Sequence, residues 1–180
     1  MSNSDILFAR NRVFAETFPA SDLPIVPKLR TVILTCVDAR VDPAHVLGLD
    51  LGDAVVIRNN GGRVTEALIQ EIATLAFMVK KMDGDKPGPF EVVIMHHTQC
   101  GAERFADPEF QMAIKERIGI DVSGSAISNH EQSIRDDVAK LRDAGNVPGY
   151  AVVSGAIYDV VTGALTEVVA PSELGQTRPA

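Results

Sequence analysis

The 180-residue chain has no tryptophan, and aromatic residues make up only 5% of it. That scarcity argues against a base-stacking platform for single-stranded nucleic acid. No block of like charge occurs, and the formal net charge is −7. Nothing in such a chain attracts a polyanion, so nucleic acid is not an expected partner. No unbroken apolar run, from Met1 to Phe18 or later, is long enough to cross a membrane or to form a signal core. The expectation is a soluble, cytoplasmic protein with no membrane partner. Cysteine occurs only twice. Two thiols in a chain of this length do not make a disulfide framework. Their number alone fits two unrelated buried thiols.

What is present is a composition 46% hydrophobic, enough to bury one full core. No internal repeat, low-complexity tract or interdomain linker breaks the chain. We expect a single domain over residues 1–180, with residues 1–27 as an N-terminal arm and proline-bearing loop and residues 28–180 as the core. Asp5 to Phe18 has helical spacing, with Ile6, Leu7, Val13, Phe14 and Phe18 on one broad face and Ser4 or Asp5 as cap. Three prolines mark the loop from Pro19 to Pro27. Short β-branched apolar runs predict buried strands at Thr31 to Cys36, Ala54 to Arg58, Glu91 to His96 and Tyr150 to Tyr158. A fifth strand, Ala164 to Val169, returns after a turn at Asp159 to Gly163. Helices are expected from Asp42-Pro43 through Leu47, from Thr65 to Met82, from Pro108 to Arg117 and from Glu131 to Arg142. In the Thr65–Met82 helix, Ile69, Ile72, Ala73, Ala76, Phe77 and Val79 are expected to face inward. The turn-rich stretch from Asp83 to Pro89 separates it from the next strand.

Alternation of strands and helices predicts an α/β fold, a mainly parallel sheet flanked by helices. The terminal hairpin adds an antiparallel edge strand. In such sheets ligands gather at the carboxyl ends of the strands. Cys36 ends the first strand, Arg58 and Asn59 end the second, and His97 follows the third, three residues before Cys100. Two thiolates, one imidazole and the nearby carboxylate of Asp38 thus converge on one sheet edge. This donor set suits zinc, and three protein ligands leave a fourth position open for water or substrate. His96 and His97 are neighbours on a strand, so only one can reach the same ion. We take His97 as the ligand and His96 as a packed histidine. His45 and His130 stand alone and are given no role.

Other motifs fail on inspection. In a phosphatase or rhodanese loop, an Arg occupies the position that Asp42 fills here, and a carboxylate there repels the anion. No CxxC redox pair exists. Gly61-Gly62 follows a strand without the GxGxxG pattern, which leaves both a turn of positive φ and a site role open. Asp38 and Arg40, two apart, share a face in an extended segment. An exposed ion pair of this kind is worth little. Beside a zinc, an Arg holding the carboxylate by two bonds keeps it off the metal and free to accept a proton.

Three segments carry a resemblance. Cys36-Val37-Asp38-Ala39-Arg40, Arg58-Asn59-Asn60-Gly61 and His97-Thr98-Gln99-Cys100-Gly101 are similar, in order and interval, to the signatures of β-class carbonic anhydrases. The likeness runs from about Thr31 to the terminal hairpin. It implies Cys36, His97 and Cys100 as zinc ligands and Asp38 with Arg40 as a catalytic dyad. It implies a homodimer, or a tetramer of two dimers, with the N-terminal helix reaching across to a partner. Zinc-bound hydroxide would attack CO2 to give bicarbonate, the metal lowering the pKa of its water toward about 7 from about 15.7.

The chain departs from the pattern at Asn60, where Ala is usual, at Gln99, where an acidic residue is frequent, and near Pro27, where plant-type members carry a Gln. Its shortness resembles the compact branch of the family, which includes enzymes that hydrolyse carbonyl sulfide or carbon disulfide. Carbonyl sulfide is therefore the alternative substrate, yielding H2S and CO2 at the same zinc. A further alternative is a non-catalytic zinc-stabilised binding protein, in which Asp38 closes the coordination. A thiol redox role would instead join Cys36 and Cys100 as a disulfide.

Overall fold

Six consecutive residues with apolar or β-branched side chains, Thr31–Cys36, form β1, and all six are buried. A strand covered on both faces and flanked on both edges reads as such an unbroken run. In the computed structural model, which describes residues 2–18, 22–86 and 88–175, β1 lies between β2 (Ala54–Asn59) and β3 (Glu91–His97), parallel to both. β4 (Val152–Tyr158) runs parallel to β3, and β5 (Leu165–Glu173) is antiparallel to β4. The order is β2-β1-β3-β4-β5. The expected α/β architecture, mainly parallel with an antiparallel edge, is the one observed. β5 continues past the expected Val169 to Glu173 and carries Pro171, which an edge strand tolerates because its outer side makes no ladder bond.

The helices are α1 (Asn3–Glu16), α2 (Pro43–Val46), α3 (Glu66–Met82), α4 (Pro108–Ile118) and α5 (His130–Asp143). Ser2, not Ser4 or Asp5, caps α1; Asp5 is its reciprocal partner and accepts from the Ser2 backbone at 2.7 Å. The S-x-x-D spacing is a capping box with Asp in the usual Glu place. Val32 and Leu34, Val92 and Ile94, and Val153 share one cluster with Leu68, Ile69, Ile72 and Ala76 of α3 and Ile134, Val138 and Leu141 of α5. The strand residues alternate, so they line one face of the sheet. Phe77, expected inward, is 60% exposed. It lies one residue beyond Ala76, about 100° round the helix, and so leaves the stripe that Leu68, Ile72 and Ala76 define. Ala73 and Val79 are half-buried.

No residue of α1 is buried. Leu7, Val13 and Phe14 of the apolar face read from the sequence lie 48–64% exposed, as does Phe8, so the described residues leave that face uncovered. The loop from 19 to 27 lies partly outside the described residues.

One ion pair is buried outright. Arg63, just after β2, donates to Asp137 of α5 through Nε at 2.7 Å and Nη2 at 3.1 Å, and Asp137 is fully buried. Lys140 Nζ donates to the same carboxylate at 2.9 Å. Removing one partner strands the other charge away from water. Asp137→Ala should therefore cost roughly 3–5 kcal/mol of unfolding free energy. Urea denaturation checks this, and a loss below about 1 kcal/mol, the scale of an exposed pair, would contradict it.

Candidate metal centre

The register of the parallel pairs sets the site. Thr35 of β1 faces Met95 of β3, and Thr35 Oγ1 donates to the Met95 carbonyl at 2.8 Å. Cys36 and His97 are thus the last residues of adjacent parallel strands, His97 one residue further along than the position level with Cys36. The chain after β3 turns through Thr98 and Gln99, whose φ of 55° is left-handed, and brings Cys100 back beneath them. A non-glycine residue in that region carries strain of about 1–3 kcal/mol, kept only where its surroundings impose it. Here the Gln99 carbonyl accepts from Arg40 Nη2 at 3.0 Å.

One donor atom each from Cys36, His97 and Cys100 lies within 4.8 Å of the others, and all three residues are buried. Both thiols are free, with Sγ atoms 3.8 Å apart. Two sulfurs bound to one tetrahedral zinc at about 2.3 Å sit about 3.8 Å apart, so the pair is spaced for a shared ion and not for a disulfide. His97 Nδ1 lies 2.9 Å from the Thr98 carbonyl, which leaves Nε2 as the ligand atom. That Nε2 is buried and has no hydrogen-bond partner among the described residues. A buried acceptor without a partner is costly, and a metal would satisfy it. These three residues fit the ion.

The thiols hold one negative charge unequally. Cys36 is pulled down by hydrogen bonding to Cys100, and further by His97 and the backbone N–H groups of Asp38 and Gly61. Cys100 is pushed up by the neighbouring Cys36 and by burial. Burial opposes charge on His97, yet attraction to the Cys36 thiolate and the Thr98 carbonyl outweighs it, and the net direction is upward. One thiolate is thus already favoured before a cation arrives.

Asp38 is clamped. Arg40 donates to it from Nε at 3.0 Å, from Nη2 at 2.7 Å and from its backbone N–H at 2.9 Å. The Arg40 hydrogen bonds hold the carboxyl well below the usual carboxylate range. Asp38 Oδ2 stands 3.9 Å from His97 Nε2, beside the donor atoms without joining them. Both members of the expected dyad are therefore at the site with the three expected ligands.

Gly61 and Gly62 take both roles left open by the sequence. Their φ values are 80° and 65°, and a Cβ on Gly62 would meet the Thr35 carbonyl carbon at 2.9 Å and the Cys36 nitrogen at 3.0 Å. Only glycine lets this turn pack against the strand end that carries Cys36. A cavity of about 250 Å³ opens there, walled by Val37, Asn60, Ala102 and Phe105 beside Cys36 and Asp38. His96 points elsewhere: it is fully buried, its ring 5.8 Å from that of His130, and burial lowers its pKa to about 4. His45 lies exposed in α2.

Two features escaped the sequence reading. Arg58, quoted there only as part of a motif, donates to the backbone carbonyls of Cys36 at 2.9 Å and Asp38 at 2.6 Å. Glu103 accepts from the Cys100 N–H at 2.9 Å and contacts His130 Nε2 at 2.9 Å. Its spacing, three residues after Cys100, is that of a capping box and was a usable signal.

An α/β sheet offering three donors, with its fourth candidate tied back, defines an open-site metal-binding class. Residues 31–148 match the family model described as carbonic anhydrase. The β-carbonic anhydrase 1 of Mycobacterium tuberculosis is 32% identical over 170 residues, 93% of this chain and 99% of that one. A carbonic anhydrase structure from Streptococcus mutans superposes with TM-score 0.78 at 36% identity, covering 93% of this chain and 98% of that chain. A carbon disulfide hydrolase of Acidithiobacillus thiooxidans is 26% identical over 160 residues, 76% of this chain and 75% of that one. The chain belongs to the β-carbonic anhydrase family.

The clamp has a pH signature. Asp38 is depressed by Arg40, so the pairing contributes stability above the unfolded carboxyl pKa of about 3.9. That contribution is lost as pH falls through the lower folded value. In Arg40→Ala the metal-free Asp38 should titrate much closer to about 3.9, followed by carboxyl-carbon NMR. An unchanged titration would show that Arg40 is not what holds the charge.

Proposed function

We propose that this protein hydrates CO2 to bicarbonate at a zinc ion held by Cys36, His97 and Cys100. The observation that carries the reading is the clamp: Arg40 spends both Nε and Nη2 on Asp38, which keeps the carboxylate out of the donor set. A purely structural metal site has no need for an Arg that restrains a fourth ligand, and this speaks against the binding-protein alternative. When bound, zinc acidifies a coordinated water into the physiological range and polarises the substrate.

The remaining chemistry falls to the chain. Val37, Ala102 and Phe105 give the cavity apolar walls suited to a small linear molecule without charge. Asp38, ionised and 3.9 Å from the ligand atom of His97, can accept a hydrogen bond from a water and orient it. Arg40 keeps Asp38 ionised and correctly turned, and Arg58 holds the backbone under both. Asn60 adds a polar side chain at the cavity wall, which favours a substrate with two oxygens. Hydrolysis of carbonyl sulfide at the same centre is the second reading, favoured by the likeness to a protein named carbon disulfide hydrolase.

We also propose a homodimer, with a tetramer of two dimers as the larger form. The support is α1, whose apolar face finds no cover among the described residues of its own chain. We place the protein in the cytoplasm, where ligand thiols stay reduced. No helix among the described residues is long and apolar enough to cross a membrane.

Stopped-flow CO2 hydration and sulfide release from carbonyl sulfide, compared as kcat/KM on one zinc-loaded preparation, test the substrate. CO2 should dominate, and Cys100→Ser should lose zinc and turnover together. Strong sulfide release with weak hydration would transfer the assignment to the second reading. For assembly, deletion of residues 1–18 should dissociate the dimer or render the protein insoluble. A soluble truncated protein that light scattering still shows as a dimer would refute the role of the arm.

A further inference from the structure

Cys100 is the ligand with the least regular support. Cys36 and His97 end strands and inherit their positions from the sheet, whereas Cys100 sits between the strained Gln99 and Gly101. Its backbone is held by Glu103, whose Oε1 accepts the Cys100 N–H at 2.9 Å, while the Glu103 N–H returns a bond to the Cys100 carbonyl at 3.1 Å. The same Oε1 lies 2.9 Å from Nε2 of His130. His130 is the first residue of α5, the helix packed on β3 and β4, and its ring meets that of His96 edge-on at 5.8 Å. His96 is the chain neighbour of His97. The bridge Cys100–Glu103–His130 thus connects the loop ligand to the sheet next to the strand ligand.

We propose that Glu103, anchored by His130, is the positioning residue that sets Cys100 for metal binding. Neither side chain needs to touch the ion. A carboxylate that holds the N–H of a ligand residue, beside the backbone bond from Glu103 N–H to the Cys100 carbonyl, aims the thiolate, and groups that orient ligands commonly govern affinity as strongly as ligands themselves. This rests on the reading of Cys36, His97 and Cys100 as a metal centre.

Zinc affinity of the full chain, measured by chelator competition, tests it together with the thiolate-to-metal absorption of the cobalt-substituted protein. Glu103→Ala should weaken zinc binding about 10- to 100-fold and shift the cobalt band. Glu103→Gln keeps an amide oxygen that can accept the Cys100 N–H, and should stay near wild type in both. A merely structural role would lower the melting temperature of the metal-free protein and leave the cobalt band in place. A folded Glu103→Ala protein with wild-type affinity and spectrum overturns the proposal, as does Glu103→Gln impaired as deeply as Glu103→Ala. If Glu103→Ala does not fold, His130→Ala decides: weakened zinc binding supports the bridge, and wild-type affinity and spectrum overturn it. A wild-type chain that binds no zinc would instead sink the metal reading itself, and this inference with it.

Discussion

The parallel pairing of β1 with β3 is the constraint on which the rest of the molecule rests. Thr31 faces Glu91 and Thr35 faces Met95, so residues about sixty apart in sequence leave the sheet together. A one-residue slip would turn the alternating side chains of either strand to the opposite face. It would take Val92 and Ile94, now fully buried, out of the cluster they share with α3 and α5, and move His97 away from Cys36. The hydrophobic pattern that builds the core is therefore the same pattern that aligns the donor atoms. The precision of the site comes from packing, and the loops add only Cys100 and the clamp.

Charge is distributed around that frame by two arginines that work differently. Arg63 pairs with a carboxylate on α5 that water does not reach. Such a pair is worth little against an apolar equivalent but is expensive to break. Arg40 is half-exposed, and screening limits what its pairing contributes to stability. Its consequence is chemical: it keeps Asp38 ionised next to the cavity yet unavailable as a ligand. Two ion pairs of similar geometry thus serve a fold and a site, and burial decides which.

The uncovered helix α1 bears on assembly. A helix with Leu7, Phe8, Val13 and Phe14 exposed gains little from the described residues of its own chain, since full burial of an aliphatic or aromatic side chain is worth about 1.5–3 kcal/mol each. The sheet and its two core helices are complete without it.

Much of this was legible in the residues. The runs Thr31–Cys36 and Glu91–His97 announce buried strands because a central parallel strand has no solvent-facing side. Cys36 and His97 stand at strand ends, with the Asp38–Arg40 pair and Cys100 in the loops just beyond, where an α/β sheet collects its ligands, so their chemistry could be read before any coordinates. Phe77 was misjudged because helix phase is fixed by what the helix packs on, and a shift of one residue is enough to turn a side chain outward. Ser2 was passed over as cap because Asp in the reciprocal place is a weaker signal than Glu. Sequence alone determined the elements, their parallel arrangement and the donor set, since these follow from local hydrophobic period and residue chemistry. Only the tertiary structure decided that Gly62 must be glycine, that Arg58 holds the Cys36 and Asp38 carbonyls, and that Glu103 and His130 brace Cys100. Apart from the Cys100–Glu103 capping spacing, those relations join atoms distant in the chain, Gly62 and Arg58 through backbone groups that every residue possesses and Glu103 with His130 across 27 residues, so no sequence pattern distinguishes them.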